Sequence, residues 1–354
     1  MRLNVEAERL DALPRPTAIA TTDLADRVRG MLMGIAIGDA LGNQSESLVP
    51  ARRAERFGYI TDYLPNPCAR GRRVGTPSDD TQLSFWTIEH LLEHGHLNPD
   101  ALSTLFASRE MFGRGQATAN FVHARRAGAA WWEAGQPSAG NGALMRIAPM
   151  VLPHLIGERD TLWQQTAISA AITHNDPLAI ASAVAWVALL WRLLSGDVPA
   201  TALSWLDTYT DVLRPFDFDQ QYSTRLKSGP LAGWCGATSA LLDGPVRDAI
   251  AGDIEVRRAG LVWYSGAYLL ETIPTVVHIM ARHGHEPVVA METAVNDTRD
   301  NDTVAAIVGA AMGAAYGTAW IPPRWRDGLL GRTGAEDDGR VFALIEAAVE
   351  RFVG

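Results

Sequence analysis

Gly30-Met31-Leu32-Met33-Gly34-Ile35-Ala36-Ile37-Gly38 is the stretch that decides how this chain folds. Its residues are apolar and its glycines recur at every fourth position, a step that keeps them on one face of an α-helix. Asp23 upstream is a suitable N-cap, and Gly42 carries the series one turn further. Glycine inside a helix costs about 1 kcal/mol relative to alanine. A repeated glycine face therefore implies a compensating close approach of a second backbone. A matching series, Gly309, Gly313 and Gly317, lies near the other end of the chain. The two predict a pair of central helices packed backbone to backbone.

The rest of the chain follows the same period. Asn98-Pro99-Asp100 combines an N-cap, an N1 proline and an early acid. Asp176-Pro177 opens a helix running through Leu178 to Leu194 and ending near Ser195-Gly196. Helices are further expected over 254–271, 302–317 and 340–352, and a long loop over 217–230. Alternating apolar and polar residues are scarce, with 59–64 the best short strand candidate. The reading is an all-α fold with few or no strands: one large helical domain over 23–354, preceded by a flexible N-terminal arm over 1–22 that contains Pro14 and Pro16.

Composition narrows the function classes. The chain has 354 residues, 47% hydrophobic and 20% charged, as in a soluble globular protein. A formal charge of −9 argues against general affinity for nucleic acid or an anionic membrane. Lys227 is the one lysine beside 30 arginines, which points to coding composition rather than to a binding surface. Cys68 and Cys235 suit a reducing cytoplasm and offer no zinc site. The apolar stretches 177–191 and 304–321 fall short of the roughly 20 residues a membrane span needs, so both read as buried helices.

Two acidic clusters carry the candidate chemistry: Ser78-Asp79-Asp80-Thr81 and Asp300-Asn301-Asp302-Thr303. Each sits at the start of an apolar helical segment, where acids are ordinary because free N–H groups and the helix dipole favour them. Yet each also sets carboxylate and hydroxyl oxygens side by side, as hard cations such as Mg²⁺ require. Asp80 and Asp300 are 220 positions apart, so only the tertiary fold can join them. His90-Leu91-Leu92-Glu93-His94 matches an inverted zinc-protease pattern, but it is followed at once by Gly95 and lacks a marked third ligand. The glycine-flanked loop from Ser138 to Arg146 can cradle a phosphate with its backbone N–H groups or be a simple turn. His174 lies at a junction between helices.

Taken in order, Gly34 to Gly42 with its internal Gly38-Asp39, Ser78 to Thr81, Gly140-Asn141-Gly142-Ala143-Leu144-Met145-Arg146, Thr173-His174, and Asp300 to Thr303 resemble the motifs of the ADP-ribosylglycohydrolases. That family includes the dinitrogenase reductase-activating glycohydrolase. The resemblance spans residues 34 to 317. It implies an all-α domain with a dinuclear Mg²⁺ centre that removes ADP-ribose from modified protein side chains, most often arginine. It further implies metal ligation by Ser78, Asp79, Asp80, Asp300, Asp302 and Thr303. Glu46 matches a glutamate near the metals, so Glu46 or Asp302 is the expected proton acceptor. Gly140, Asn141, Gly142, Met145, Arg146 and His174 match segments that contact the phosphates and distal ribose. One departure stands out: Thr298 and Arg299 occupy positions where the family usually has two glycines. Bacterial relatives also include immunity proteins against ADP-ribosyltransferase toxins, which makes direct toxin binding through residues 1–22 the competing reading. A cytoplasmic location is expected with either.

Overall fold

The computed structural model describes residues 3–46, 48–66, 69–217 and 219–354. Met1 and Arg2 of the expected arm, and Cys68, lie outside the described residues.

Helices form nearly all of the architecture. The first half contains α1 (Ala7–Asp11), α2 (Leu24–Gly42), α3 (Pro50–Phe57), α4 (Asp79–His94), α5 (Pro99–Ser108), α6 (Gln116–Arg126) and α7 (Trp131–Ala134). The middle holds α8 (Leu162–Thr173), α9 (Pro177–Leu194), α10 (Ala202–Asp217), α11 (Thr238–Leu241) and α12 (Arg247–Ala251). The last part holds α13 (Val256–Trp263), α14 (Leu269–His283), α15 (Pro287–Asp297), α16 (Asn301–Tyr316), α17 (Pro323–Gly328) and α18 (Arg340–Phe352). Two antiparallel pairs of two-residue strands complete it: β1 (Pro65–Asn66) with β2 (Arg72–Arg73), and β3 (Tyr222–Ser223) with β4 (Cys235–Gly236).

The glycine faces meet as their spacing predicts. α2 and α16 run antiparallel, with Gly30 against Gly313 and Gly317, Gly34 against Gly309, and Gly38 against Ala305. A Cβ on Gly34 would fall on the carbonyl oxygen of Gly309. The pair is wrapped by α4, α9, α15 and α18, and nearly every residue of α16 is buried. α9 is long and apolar enough to cross a membrane, yet most of it is buried in this core against α8, α10 and α16.

Caps explain where several helices begin. Asn98 accepts the N–H of Ala101 at 3.2 Å, and Asp176 accepts those of Leu178 and Ala179 at 2.9 and 3.3 Å. Two expectations differ from the structure. The stretch 59–64 is not a strand: the Ile60 N–H donates to the Asn296 side chain, and the Tyr63 hydroxyl to the Trp325 carbonyl, so its backbone serves helix-to-helix contacts. The helix expected over 254–271 is broken between α13 and α14, where Tyr264 and Ser265 both take positive φ (88° and 55°). Periodicity cannot report such a break, because the apolar residues resume in phase beyond it. Residues 3–22, expected to form an arm, run along α8 and α9. Leu10 is buried, the Trp163 and Trp191 indoles donate to the carbonyls of Pro14 and Thr17, and Arg9 pairs with Asp219 at 2.8 Å.

Helix propensity alone gives Gly34→Ala a gain of about 1 kcal/mol. Because the added methyl has no room at the α2–α16 contact, the variant is expected to lose about 1–3 kcal/mol instead, as overpacked cores do. Urea denaturation reads the sign directly, and a stabilised variant would refute the close approach.

Candidate metal centre

The centre is assembled by a carboxylate that caps a helix not its own. Asp39, fully buried near the end of α2, accepts from the Ser78 N–H at 2.8 Å, the Ser78 hydroxyl at 2.6 Å, the Thr81 N–H at 3.0 Å and the Thr81 hydroxyl at 2.5 Å. Ser78 is the N-cap residue of α4 but makes no side-chain cap bond itself. Asp39 therefore satisfies the free donors at the start of α4. Asp79 and Asp80 are spared that duty, although acids in a first turn ordinarily serve it.

The second cluster arrives through the glycine contact. A Cβ on Gly42 would meet the backbone N and Cα of Asp302, so the end of α2 lies directly on the start of α16. Asn301 ties the same junction by donating to the carbonyls of Gly42 and Val295 and to the Ser45 hydroxyl, at 3.0–3.1 Å. The N–H groups of Arg299 and Asp300 both donate at 3.2 Å to the carbonyl of Ser265, in the positive-φ break. Arg53 on α3, with no exposure, donates to the Ser45 hydroxyl and to the carbonyls of Ser45, Leu48, Asn296 and Thr298. One guanidinium thus joins the segment carrying Glu46 to the one leading into Asp300. Burial pushes it down to about 10, which leaves it charged at neutral pH.

Two carboxylate trios result, Asp39–Asp80–Asp302 and Glu46–Asp300–Asp302, each with one oxygen per residue within 4.8 Å of the others. Asp302 belongs to both. Asp80 Oδ2 accepts from the Thr303 hydroxyl at 3.3 Å, while Asp80 Oδ1 is buried without a hydrogen-bond partner among the described residues. An unpartnered buried carboxylate oxygen is costly unless a cation or a proton meets it. Asp39, Asp79, Asp80, Asp300 and Asp302 are all pushed up by burial first. Neighbouring carboxylates add to this for Asp79, Asp80, Asp300 and Asp302. Asp79 reaches about 8, and Asp300 about 6. Glu46 is solvent-exposed as a residue, yet the atoms packed around its carboxyl raise it, with Asp300 and Asp39 adding to the effect. Oxygen donors this dense, one of them buried without a hydrogen bond, fit hard divalent cations.

A cavity of about 270 Å³ opens over the trios. Glu46, Asp79, Asp80, Asp300, Asp302 and Thr303 line it together with Gly140, Asn141, Gly142, Met145 and His174. Asn141 bridges the two groups, its amide donating to Asp300 at 2.5 Å and to the Thr272 hydroxyl at 3.0 Å. A Cβ on Gly142 would come within 2.8 Å of the His174 ring, so the glycine keeps the cradle open. Burial pushes His174 down to about 3 and Arg146 adds to this, so its imidazole is neutral and bonds through Nδ1 to the Thr173 hydroxyl at 2.9 Å.

The structure leaves two of the expected residues out of this cavity. Ser78 turns its hydroxyl to Asp39. Arg146 is fully buried, donates to Ser169 and to the Thr173 hydroxyl, and stands over the Phe106 ring. Neither Thr298 nor Arg299 lines it. The Thr298 hydroxyl donates back to the Ala294 carbonyl, and the Arg299 guanidinium lies 4.1 Å from the Tyr264 ring centroid. The inverted zinc pattern is engaged elsewhere: the His90 and His94 rings stack at 4.3 Å, and His90 Nε2 accepts from the Asn98 N–H. Asp39 is the residue the sequence reading passed over. Its signal was a lone acid in the otherwise apolar, glycine-bearing stretch from Gly30 to Gly42. Ser265 and Arg225 of the cavity region carried no local signal.

An α-helical domain with clustered carboxylates beneath a glycine-lined cradle is the architecture of a hydrolase class. The sequence model of the ADP-ribosylglycohydrolase family matches residues 20–353, and the chain belongs to that family. It is 25% identical to the ADP-ribosyl-[dinitrogen reductase] glycohydrolase of Rhodospirillum rubrum, over 91% of this chain and 97% of the relative. It is also 25% identical to an ADP-ribosylarginine hydrolase of Pseudomonas putida, over 88% of this chain and 76% of the relative. A solved ADP-ribosylglycohydrolase-related protein complex superposes with a TM-score of 0.65 at 25% identity, covering 94% of this chain and 99% of the other.

The raised carboxyls predict a pH dependence. Each binds its proton more tightly in the folded chain than in the unfolded one, so unfolding free energy falls as pH rises through the window from about 4 to about 8. In chelator, the thermal midpoint is expected to drop between about pH 5 and pH 8. Added divalent cation should remove most of that drop. A midpoint that stays level or climbs in chelator would contradict the clustering.

Proposed function

We propose that the protein is a Mg²⁺-dependent hydrolase that releases ADP-ribose from modified protein side chains, most of all from arginine. The observation that carries this reading is the pair of carboxylate trios sharing Asp302, with the unpartnered Asp80 oxygen among them, beneath the Gly140–Gly142 cradle. Two trios with a common member suit two ions, which Asp79, Asp80, Asp300, Asp302 and Thr303 would hold, with Asp39 and Glu46 completing the trios and Ser78 behind Asp39. When bound, the ions supply Lewis acidity toward the ribose diol and toward water.

The chain's own residues do the rest. The bond from the anomeric carbon to the side-chain nitrogen breaks through an oxocarbenium-like state, and water adds at that carbon. Glu46, with its raised carboxyl at the cavity rim, is placed to take the proton from the attacking water. Asp302 is shared between both trios and is the alternative acceptor. The proton taken from water passes on to the leaving guanidine nitrogen, so the side chain departs as guanidinium, Glu46 is returned to its starting form and charge balances. His174, neutral and fixed by Thr173, acts as a hydrogen-bonding partner for a sugar hydroxyl rather than as an acid. Arginine as the linkage rests on the Pseudomonas putida relative, whose name records it. A cytoplasmic location goes with the same reading. Toxin blocking by residues 1–22 gains no support from the contacts of residues 3–22, which are made with α8, α9 and the end of α10.

The test is release of free ADP-ribose from peptides modified on arginine or on serine, with MgCl₂ present. Arginine-linked substrate should be cleaved, chelator should stop the reaction and Mg²⁺ should restore it. Asp79→Ala and Asp302→Ala should each lose at least about a hundredfold, the upper range for removing even an outer partner of a metal ligand. Near-normal turnover by either variant would sink the proposal. A separate variant, Asp39→Asn, keeps shape but weakens the cap on α4, and a loss of about 10–100-fold in metal affinity is expected for it.

A further inference from the structure

The cavity poses an electrostatic problem for the ligand assigned to it. Five lining residues are acidic, Glu46, Asp79, Asp80, Asp300 and Asp302. His174 is neutral, and Arg146, the cation that the sequence placed here, points into the core. Among the described lining residues one cation remains, Arg225.

Resting on the reading of an ADP-ribose site, we propose that Arg225 grips the ligand's diphosphate. Its guanidinium is built into place rather than left loose. Nε and Nη2 donate to the two Glu271 oxygens at 3.1 and 2.8 Å, and the plane lies 4.8 Å from the Tyr268 ring centroid. The Glu271 side chain is 5% exposed and that of Arg225 58%, so one edge of the fork is anchored inside and the other is open. Nη1 makes no hydrogen bond among the described residues, and two parallel N–H donors are what a phosphate accepts best. Tyr268 pairs its backbone with Gly140 and the Leu269 N–H donates to the Ala139 carbonyl, which ties this guanidinium to the glycine loop. The hairpin bearing Arg225 is anchored too, by the Tyr222 hydroxyl donating to Asp176 at 2.9 Å.

A second feature of the same cavity favours an anion. Gln116, Ala117 and Thr118, the first residues of the eleven-residue α6, line it, and Gly115 provides no side-chain cap. The first turn of α6 carries no acid, so no side chain of that turn offsets the positive end of the helix dipole at the cavity. The ligand's negative end thus has donors of its own, apart from the carboxylate floor.

Calorimetry with ADP-ribose and Mg²⁺ on the intact protein tests this. Arg225→Gln should bind ADP-ribose about 10–100-fold more weakly than the unaltered chain, the range for losing a charge-assisted hydrogen bond. Its affinity should also fall less steeply with salt. Because Arg225→Gln alone strands the buried Glu271 carboxylate, the control is Arg225→Gln with Glu271→Gln. That double variant should show the same weakening with a thermal midpoint near that of Glu271→Gln alone, and Arg225→Lys should recover part of the loss. If the unaltered chain binds ADP-ribose and Arg225→Gln binds it within about twofold, the assignment fails while the proposed function stands. A double variant, Arg225→Gln with Glu271→Gln, that binds ADP-ribose as tightly as Glu271→Gln alone would make Arg225 a scaffold residue and overturn it as well. If the unaltered chain does not bind ADP-ribose, both readings fall together.

Discussion

The backbone-to-backbone contact between α2 and α16 is the constraint on which the rest of the structure depends. Glycine on both faces lets the two helix axes come closer than any side chain would permit. Followed along α2, that contact ends with Gly42 against the backbone of Asp302. Core packing and site geometry are therefore one interaction, since the helix pair that fills the centre also delivers Asp39 and Asp302 to a common point. A scaffold this closely packed has little freedom to relax, and a catalytic centre benefits from ligands held by rigid helices.

Around that axis, polar groups handle what packing cannot. Asp39 caps α4 from a neighbouring helix, which orients Ser78 and Thr81 and leaves Asp79 and Asp80 available. Arg53 gathers backbone carbonyls from the Glu46 segment and from the end of α15. The centre accepts raised carboxyls and an unpartnered oxygen as the condition of being ready for cations. The stability lost by crowding carboxylates is recovered when charge of opposite sign arrives.

Much of this was legible in the chain. The four-residue glycine spacing, the N1 prolines after the N-caps Asn98 and Asp176, and the two acidic clusters are local signals with local physical causes. Other parts were not. The break at Tyr264–Ser265 is invisible to periodicity, yet it supplies the carbonyl that holds the Asp300 backbone. Arg146 carried the right charge in the right motif, but its fate depended on Ser169 and Thr173 reaching it first. Arg225 sits in a stretch whose sequence reads as an ordinary loop, and only Glu271 and Tyr268 give it a direction.

The sequence by itself determined an all-α chain with a glycine-faced central helix pair and two sets of hard oxygen donors, because helical period and side-chain chemistry are written locally. The tertiary structure alone decided which donors meet, which cation faces them and which residue caps α4. Those outcomes depend on contacts between positions from 39 residues apart, for Asp39 and Ser78, to 259, for Gly42 and Asn301, and a glycine at 42 acquires its meaning only when Asp302 is laid against it.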